Sequence, residues 1–253
     1  MARTRSTFWI IAGIFILSML ILPLVTRFIT ERILLWAKPE LEVQELGGWV
    51  LISSLLIQEL SLILGSLWGL GVLALPPYRG VGHPKGQSFL KMGIGYGLLF
   101  TVVNLAVVRL TLEFLYRITY RLTGSTQMVT EWLNREQQMS ARLVDLSLPL
   151  PQLVAIVCLV VFIVPWAEEL FFRGLVFGSI RQRYGSVVAK VTSGLLFAFA
   201  HMYIINFPSV LVLGILLASI YERTQSLVPP VVAHATYNGV AVALLILHSF
   251  IGV

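Results

Sequence analysis

Long apolar stretches recur along the chain, and their length constrains the fold more than any other feature of the sequence. A helix needs roughly 20 apolar residues to cross the hydrocarbon core of a bilayer. Runs near this length lie at residues 8–25, 49–75, 92–116, 153–180, 187–205, 207–221 and 227–248. The 153–180 run is long enough to be broken at Pro165. The pattern predicts an all-α, polytopic membrane helical bundle of about seven to eight transmembrane helices.

The composition also favours a membrane protein. The 253 residues are 57% hydrophobic and 12% charged, with a mean hydropathy of +0.88, whereas about a quarter of the residues in a soluble domain are charged. The net charge of +6 comes from basic residues scattered singly among apolar segments, which favours anionic headgroups over nucleic acid. We therefore expect the lipid bilayer as a partner and no nucleic acid. The membrane is that of a bacterial cell or an organelle.

Several segments give a coarse organisation of the chain. Residues 1–147 are predicted to hold N-terminal membrane helices with amphipathic and loop segments, and residues 148–253 a C-terminal helical core. Residues 26–48 alternate arginines with apolar side chains, which predicts an interfacial amphipathic helix.

The 8–25 run lacks a small-x-small cleavage site and is interpreted as a spanning helix. A small excess of basic residues in alternate loops favours an N-terminus on the inner side. The single cysteine, Cys158, is predicted to be a small core residue.

Three polar groups interrupt the apolar runs of the C-terminal half. They are "EELFFR" (Glu168, Glu169, Arg173), "FAFAH" (Phe197 to His201) and "HATYN" (His234 to Asn238). Ionisable side chains are costly within a bilayer, so each needs a partner or a function. Glu169 and Arg173 can pair because they lie four residues apart on a helix. Glu168 is rotated by about 100° from Glu169 and can point elsewhere.

The three groups are predicted to lie at similar depth. Glu168 is 13 residues from Arg181, His201 is 11 from Lys190, and Asn238 is 12 from Ser226. At about 1.5 Å per residue, these separations are roughly 16–20 Å. If the three flanks share one membrane face, the polar groups converge. The plainer alternative is a buried ion pair, hydrogen-bonded packing histidines and an asparagine that joins two helices.

Other polar residues in the apolar runs lack a histidine nearby. Arg109 and Glu113 are also four residues apart and are interpreted as a structural pair. Gln58 and Glu59 interrupt the second run, and the sequence provides no explanation for Glu59.

These residue types suit hydrolysis of an amide. A carboxylate in a low-dielectric site can act as a general base near neutral pH. We expect Glu168 with His201 to hold and deprotonate a water, and His234 with Asn238 to donate N–H groups to the resulting oxyanion. This chemistry needs no covalent intermediate and no cofactor. Zinc hydrolysis is the close alternative, although the sequence has no "HExxH".

The three groups resemble the EExxxR, FxxxH and HxxxN/D motifs of the CPBP family. This family of intramembrane proteases includes type II CAAX prenyl endopeptidases and bacteriocin-processing or self-immunity (Abi) proteins, and the resemblance covers roughly residues 150–248. It implies a multi-helix membrane fold and a glutamate-dependent endopeptidase acting on a peptide or protein, lipid-modified or membrane-bound. The motif positions imply that Glu168, His201, His234 and Asn238 are catalytic and that Glu169, Arg173 and Phe197 are supporting.

Three other functions are compatible with the same residues. One is a non-catalytic membrane scaffold or immunity protein of the same fold, and another is a metal-dependent version of the peptidase. The third is an ion or proton transporter in which buried Glu and His act as relay groups. Transporters of that kind are built from repeated halves, and the sequence shows no internal repeat.

Overall fold

A computed structural model describes residues 2–38, 40, 43–73 and 86–251, and within these ranges the chain is helical and contains no strand. The α-helices are α1 (Ala2–Ile16), α2 (Leu22–Ala37), α3 (Val43–Val72), α4 (Gly86–Thr123), α5 (Gln127–Ala141), α6 (Leu150–Cys158), α7 (Val164–Glu169), α8 (Gly178–Ala200), α9 (Phe207–Thr224) and α10 (Val228–Ile251). Three π-helical segments, Leu17–Ile21, Leu159–Ile163 and Leu170–Phe177, join consecutive α-helices without interrupting the helical run.

Six helical runs in the described ranges are long and apolar enough to cross a membrane. They are Thr7–Ala37, Glu45–Val72, Ser88–Thr123, Leu150–Ala200, Phe207–Thr224 and Val228–Ile251. The all-α, polytopic bundle predicted from the sequence is confirmed, and the protein is an integral, multi-pass membrane protein.

The 51-residue run Leu150–Ala200 folds back on itself at Gly185. Gly185 has φ 82° and ψ 174°, a conformation that is essentially restricted to glycine. The segments on either side of this turn pack together, because Ser193 Oγ donates a 2.8 Å hydrogen bond to the carbonyl of Phe172 and Phe172 stacks edge-on against Phe197. The run therefore consists of two antiparallel arms. Counted separately, they bring the described passes to seven.

Two sequence expectations about helix boundaries are wrong. Residues 26–37 form no separate interfacial helix, because α2 continues α1 through the π-helical segment Leu17–Ile21. The run after residue 150 is likewise unbroken at Pro165. Pro23 and Pro165 each occupy the first turn of an α-helix directly after a π-helical segment. A π turn accommodates a proline within a membrane helix because it changes which backbone groups are bonded.

Cys158 is exposed rather than in the core. Helix α6 and the segment after it bury Gln152, Ile156 and Leu159. These residues lie on one side of the helix, and Cys158 lies on another.

Small residues allow the closest helix contacts around the core. A Cβ added at Gly214 of α9 would lie 2.9 Å from Cα of Gly194 in α8. On α4, a Cβ at Gly97 would lie 2.6 Å from the carbonyl oxygen of Ala233 in α10. Glycine lets backbones approach this closely in membrane helices. The two crossings join α8 to α9 and α4 to α10. Every residue of the segment Leu170–Phe177 is buried.

Candidate active site

The bundle contains a cavity of about 510 Å³. Glu168 from α7, His201 at the end of α8, and His234 and Asn238 from α10 all line it. The structure thus brings together the four residues that the sequence singled out as catalytic. Apolar side chains from the first helical run, α3 and α9 complete much of the wall, and Met139 and Ser140 of α5 lie at one side.

Glu169 connects two of the sequence motifs. It is 0% exposed, and its Oε2 lies 3.0 Å from Nε of Arg173, the partner predicted from the i,i+4 spacing. Its Oε1 lies 3.0 Å from Nδ1 of His234, a contact that the sequence did not predict. Arg173 in turn donates from Nη2 to the carbonyl of Gly214 at 3.1 Å, and its guanidinium lies 4.6 Å from the centroid of Phe197.

The contact with Glu169 determines what His234 can donate. A carboxylate accepts hydrogen bonds, so Nδ1 of His234 carries the hydrogen and donates a hydrogen bond to Glu169. Nε2 of His234 lies 3.8 Å from Oε2 of Glu168. Because Nδ1 is already protonated, Nε2 can donate a hydrogen bond only when the ring is an imidazolium.

Glu168 has an acceptor atom that no described residue uses. The residue is 6% exposed, and no group in the described part of the chain donates a hydrogen bond to its Oε2. A buried carboxylate oxygen of this kind is available to a water or to a group of the substrate.

His201 is oriented differently from His234. Its Nδ1 lies 2.8 Å from the carbonyl oxygen of Phe197, so Nδ1 donates and the other ring nitrogen is an acceptor in the neutral ring. The ring packs on that of Phe197, with centroids 4.6 Å apart. Phe197 also lies edge-on to His234 at 5.6 Å. Phe197 therefore contacts both histidines, in keeping with the supporting role expected for it.

Asn238 is tied to the neighbouring helix. Its Nδ2 donates a 3.0 Å hydrogen bond to the carbonyl of Val160, within the π-helical segment Leu159–Ile163. A carboxamide has two N–H donors, so this contact leaves one for another acceptor. The interhelical contact and a role in the cavity are therefore compatible.

Two acids in the site region were not recognised as functional from the sequence. Glu136 of α5 is buried and accepts hydrogen bonds from the backbone N–H groups of Ile204, Ile205 and Asn206 and from the Asn206 side chain, at 2.5–3.1 Å. It anchors α5 to the turn that follows His201. Its position in a polar stretch carries no signal that it is buried.

Glu59 of α3 is the second of these acids, and it lines the cavity. It is 1% exposed, and its Oε1 accepts a 3.1 Å hydrogen bond from Nε2 of Gln58. An acid in the middle of an apolar run is itself a signal of function. The sequence alone did not indicate what Glu59 faces.

The pair Arg109–Glu113 lies elsewhere. Nε of Arg109 is 3.1 Å from Glu113, whose carboxylate also lies 3.7 Å from Arg117, and all three side chains are substantially exposed. None of them is among the described residues that line the cavity.

The described residues contain no group of three or more His, Cys, Asp or Glu side chains placed to hold a metal ion.

Comparisons with known proteins agree with the motif pattern. The family model of the type II CAAX prenyl endopeptidase Rce1-like proteins matches residues 150–240, which include all three motifs. A Bacillus subtilis (strain 168) protein described as "Putative membrane peptidase YdiL" is 22% identical over 148 residues, which is 58% of this chain and 56% of that protein. The chain thus matches little more than half the length of this relative. No solved structure matches the chain. The resemblance noted in the sequence is confirmed, because residues 150–240 match the Rce1-like family model of type II CAAX prenyl endopeptidases.

Proposed function

We propose that this protein is an intramembrane endopeptidase that hydrolyses peptide bonds with a water activated by Glu168 and His201. One observation carries the proposal: an acid, two imidazoles and a carboxamide from three helices line a single cavity within the bundle. The family match and the relative described as a membrane peptidase support the same reaction class. The expected substrate is a peptide or protein in or at the membrane, with or without a lipid modification.

Glu168 and His201 suit the activation of water because both present acceptor atoms. Oε2 of Glu168 receives no hydrogen bond from the described residues, and His201 uses Nδ1 as its donor, which leaves Nε2 with a lone pair. A water that donates to both keeps an oxygen lone pair free for a carbonyl carbon. As the C–O bond forms, the water gives a proton to Glu168. General base catalysis of this kind accelerates a reaction by about 10²–10⁴-fold.

His234 and Asn238 suit the oxyanion that forms on the attacked carbonyl. Nδ1 of His234 lies against Glu169 and Nε2 faces Glu168, and Arg173 pairs with Glu169, so an imidazolium at His234 would have a carboxylate beside each ring nitrogen. In this state Nε2 of His234 is a donor, and Asn238 has one N–H beyond its bond to Val160. Removing one donor of this type costs about 10²–10³-fold in rate.

The test uses the purified protein in proteoliposomes with a mixture of quenched fluorogenic peptides of apolar sequence. Glu168→Gln and His201→Ala should each lower the cleavage rate at least about 100-fold while thermal unfolding in detergent stays unchanged. Glu113→Gln is the matched control, because it removes an exposed acid outside the cavity, and its rate should equal that of the wild type. Full activity of Glu168→Gln would remove the mechanism. If the wild type cleaves nothing and the Glu168→Gln variant rescues the phenotype of a deletion strain, the protein is a scaffold of this fold.

A further inference from the structure

Glu59 has no role in the hydrolysis described above, although it is buried in the same cavity as Glu168. It belongs to α3, outside the region matched by the family model. Its Oε2 atom, like that of Glu168, receives no hydrogen bond from any residue that the structure describes. Two carboxyl groups of one cavity thus each have a buried oxygen without a hydrogen-bond donor among the described residues.

The register of the helices places Glu59 close to Glu168 in depth. A Cβ at Gly69 of α3 would lie 3.0 Å from the side chain of Leu175, so these residues are level. At the other end of α3, a Cβ at Gly48 would lie within 3 Å of the side chain of Gln152, and the two helices therefore run in the same direction. Glu59 precedes Gly69 by ten residues and Glu168 precedes Leu175 by seven. The two acids thus lie within about one helical turn of each other along the bundle, and they interact electrostatically.

The surroundings of Glu59 favour its neutral form. Its described hydrogen-bond partner is the Gln58 side-chain amide, and the described residues that line the cavity include neither lysine nor arginine. The imidazole of His234 already lies against Glu168 and Glu169, so an ionised Glu59 carboxylate has no cation of its own among the described residues, and burying it is costly. Arg173 is already paired with Oε2 of Glu169. A carboxylic acid held at Glu59 has one proton to give, whereas the Glu168 carboxylate has the capacity to take one.

We propose that Glu59 is the general acid of the reaction and protonates the departing amine. This inference depends on the proposed peptidase function. In the first step the water oxygen bonds to the carbonyl carbon, and its proton passes to Glu168. In the second step the C–N bond breaks, its electron pair stays on nitrogen, and nitrogen takes the proton of Glu59. Glu168 then returns its proton to Glu59 through the next water, which restores both groups.

The experiment compares two leaving groups in the same cavity. The probes are the fluorogenic peptide that the wild type cleaves and its analogue with a thioester at the scissile bond. An amine must be protonated to leave, whereas a thiolate leaves without a proton. The measured quantity is the ratio of the amide rate to the thioester rate, which does not depend on how much protein is folded.

Glu59→Gln should lower this ratio at least about 100-fold, mainly through the amide rate, and Glu59→Asp, which keeps the acid, should recover part of it. Ser66→Ala is the matched control, since it truncates a buried polar side chain of the same helix that bonds the carbonyl of Leu62, and its ratio should equal the wild-type value. An unchanged ratio in Glu59→Gln, or an equal loss of both rates, overturns the role of Glu59.

Glu168→Gln should lose both the amide and the thioester activity. That result leaves the proposed function standing even if Glu59 fails its test, whereas a wild type that cleaves neither probe overturns both.

Discussion

At the scale of single residues, two adjacent glutamates have different surroundings. Both oxygens of Glu169 lie 3.0 Å from nitrogen atoms, one on Arg173 and the other on His234. Glu168 lines the cavity, and its Oε2 receives no hydrogen bond from the described residues. The difference follows from the rotation of about 100° between neighbouring residues of a helix. Glu169 therefore contacts the His234 imidazole, and Glu168 is the acid that we propose for the reaction.

The Glu169–Arg173 pair should be important for stability. Arg173→Met removes one partner of a fully buried ion pair, and such a change costs about 3–5 kcal/mol because the other charge is left uncompensated. We expect a clear fall in the thermal unfolding midpoint, measured in detergent. The double variant Arg173→Met with Glu169→Gln should be more stable than Arg173→Met alone. A double variant whose midpoint falls by the sum of the two single losses would contradict the pairing.

The sequence predicted contacts within one helix better than contacts between helices. The pairing of Glu169 with Arg173 follows from their i,i+4 spacing, and the structure has it. The contact of Glu169 with His234 joins residues 65 positions apart. It depends on how α7 and α10 are rotated against each other, which no local pattern encodes. The same holds for Glu59, whose buried environment depends on the register between α3 and Leu170–Phe177.

At the scale of helices, α4 determines where α10 places His234 and Asn238. A Cβ at Gly97 would lie 2.6 Å from the carbonyl oxygen of Ala233 and 2.5 Å from Cβ of Thr236. The residue after Ala233 is His234. Any side chain at Gly97 therefore has to push the backbone of α10 away. Gly95, two residues earlier on the same helix, has no atom within 4 Å of such a Cβ among the described residues.

Gly97→Ala should lower the cleavage rate by tenfold to roughly 100-fold, because a shift of about 1 Å in a catalytic group can cost that much. The thermal midpoint should fall as well. Gly95→Ala makes the same chemical change on the open side of the helix and should leave both quantities unchanged. Equal behaviour of the two variants in the peptide assay would show that the contact between α4 and α10 does not position the site.

The helices themselves were predictable from apolar run length, but their π turns were not. An inserted residue in a helix changes the rotation of everything after it without altering the hydrophobic composition. The segment Leu170–Phe177 follows Glu168 and Glu169 directly, and all of its residues are buried. Its π geometry contributes to the position of Arg173, which the sequence alone had placed on an ideal helix.

At the scale of the whole molecule, the prediction of a common depth depended on flanks that share one membrane face. Two of these flanks, Arg181 and Lys190, lie together because both contact Glu222 of α9. The Glu222 carboxylate lies 3.4 Å from Nε of Arg181 and 2.8 Å from Nζ of Lys190. Ser226, the third flank, follows four residues later. Counting residues from these flanks was therefore a sound guide to the level of the polar groups.

Other features of the whole molecule could not be read from the sequence. The polar stretch before residue 150 folds back so that α5 borders the cavity. Glu136 fixes it there through four hydrogen bonds to residues about 70 positions away. The turn at Gly185 depends on one positive φ angle. Long-range contacts of this kind depend on the assembled bundle rather than on any run of residues.

The central claim is that a water activated in this cavity, and no nucleophile of the protein, cleaves a peptide bond. The most direct test is mass spectrometry of the products formed from the fluorogenic peptide by the purified protein in the presence of hydroxylamine. The account predicts a free carboxylate and a free amine at one bond, no hydroxamate, no mass added to the protein, and no products from Glu168→Gln. A hydroxamate product, a covalent adduct on the protein, or the same products at the same rate from Glu168→Gln would contradict it.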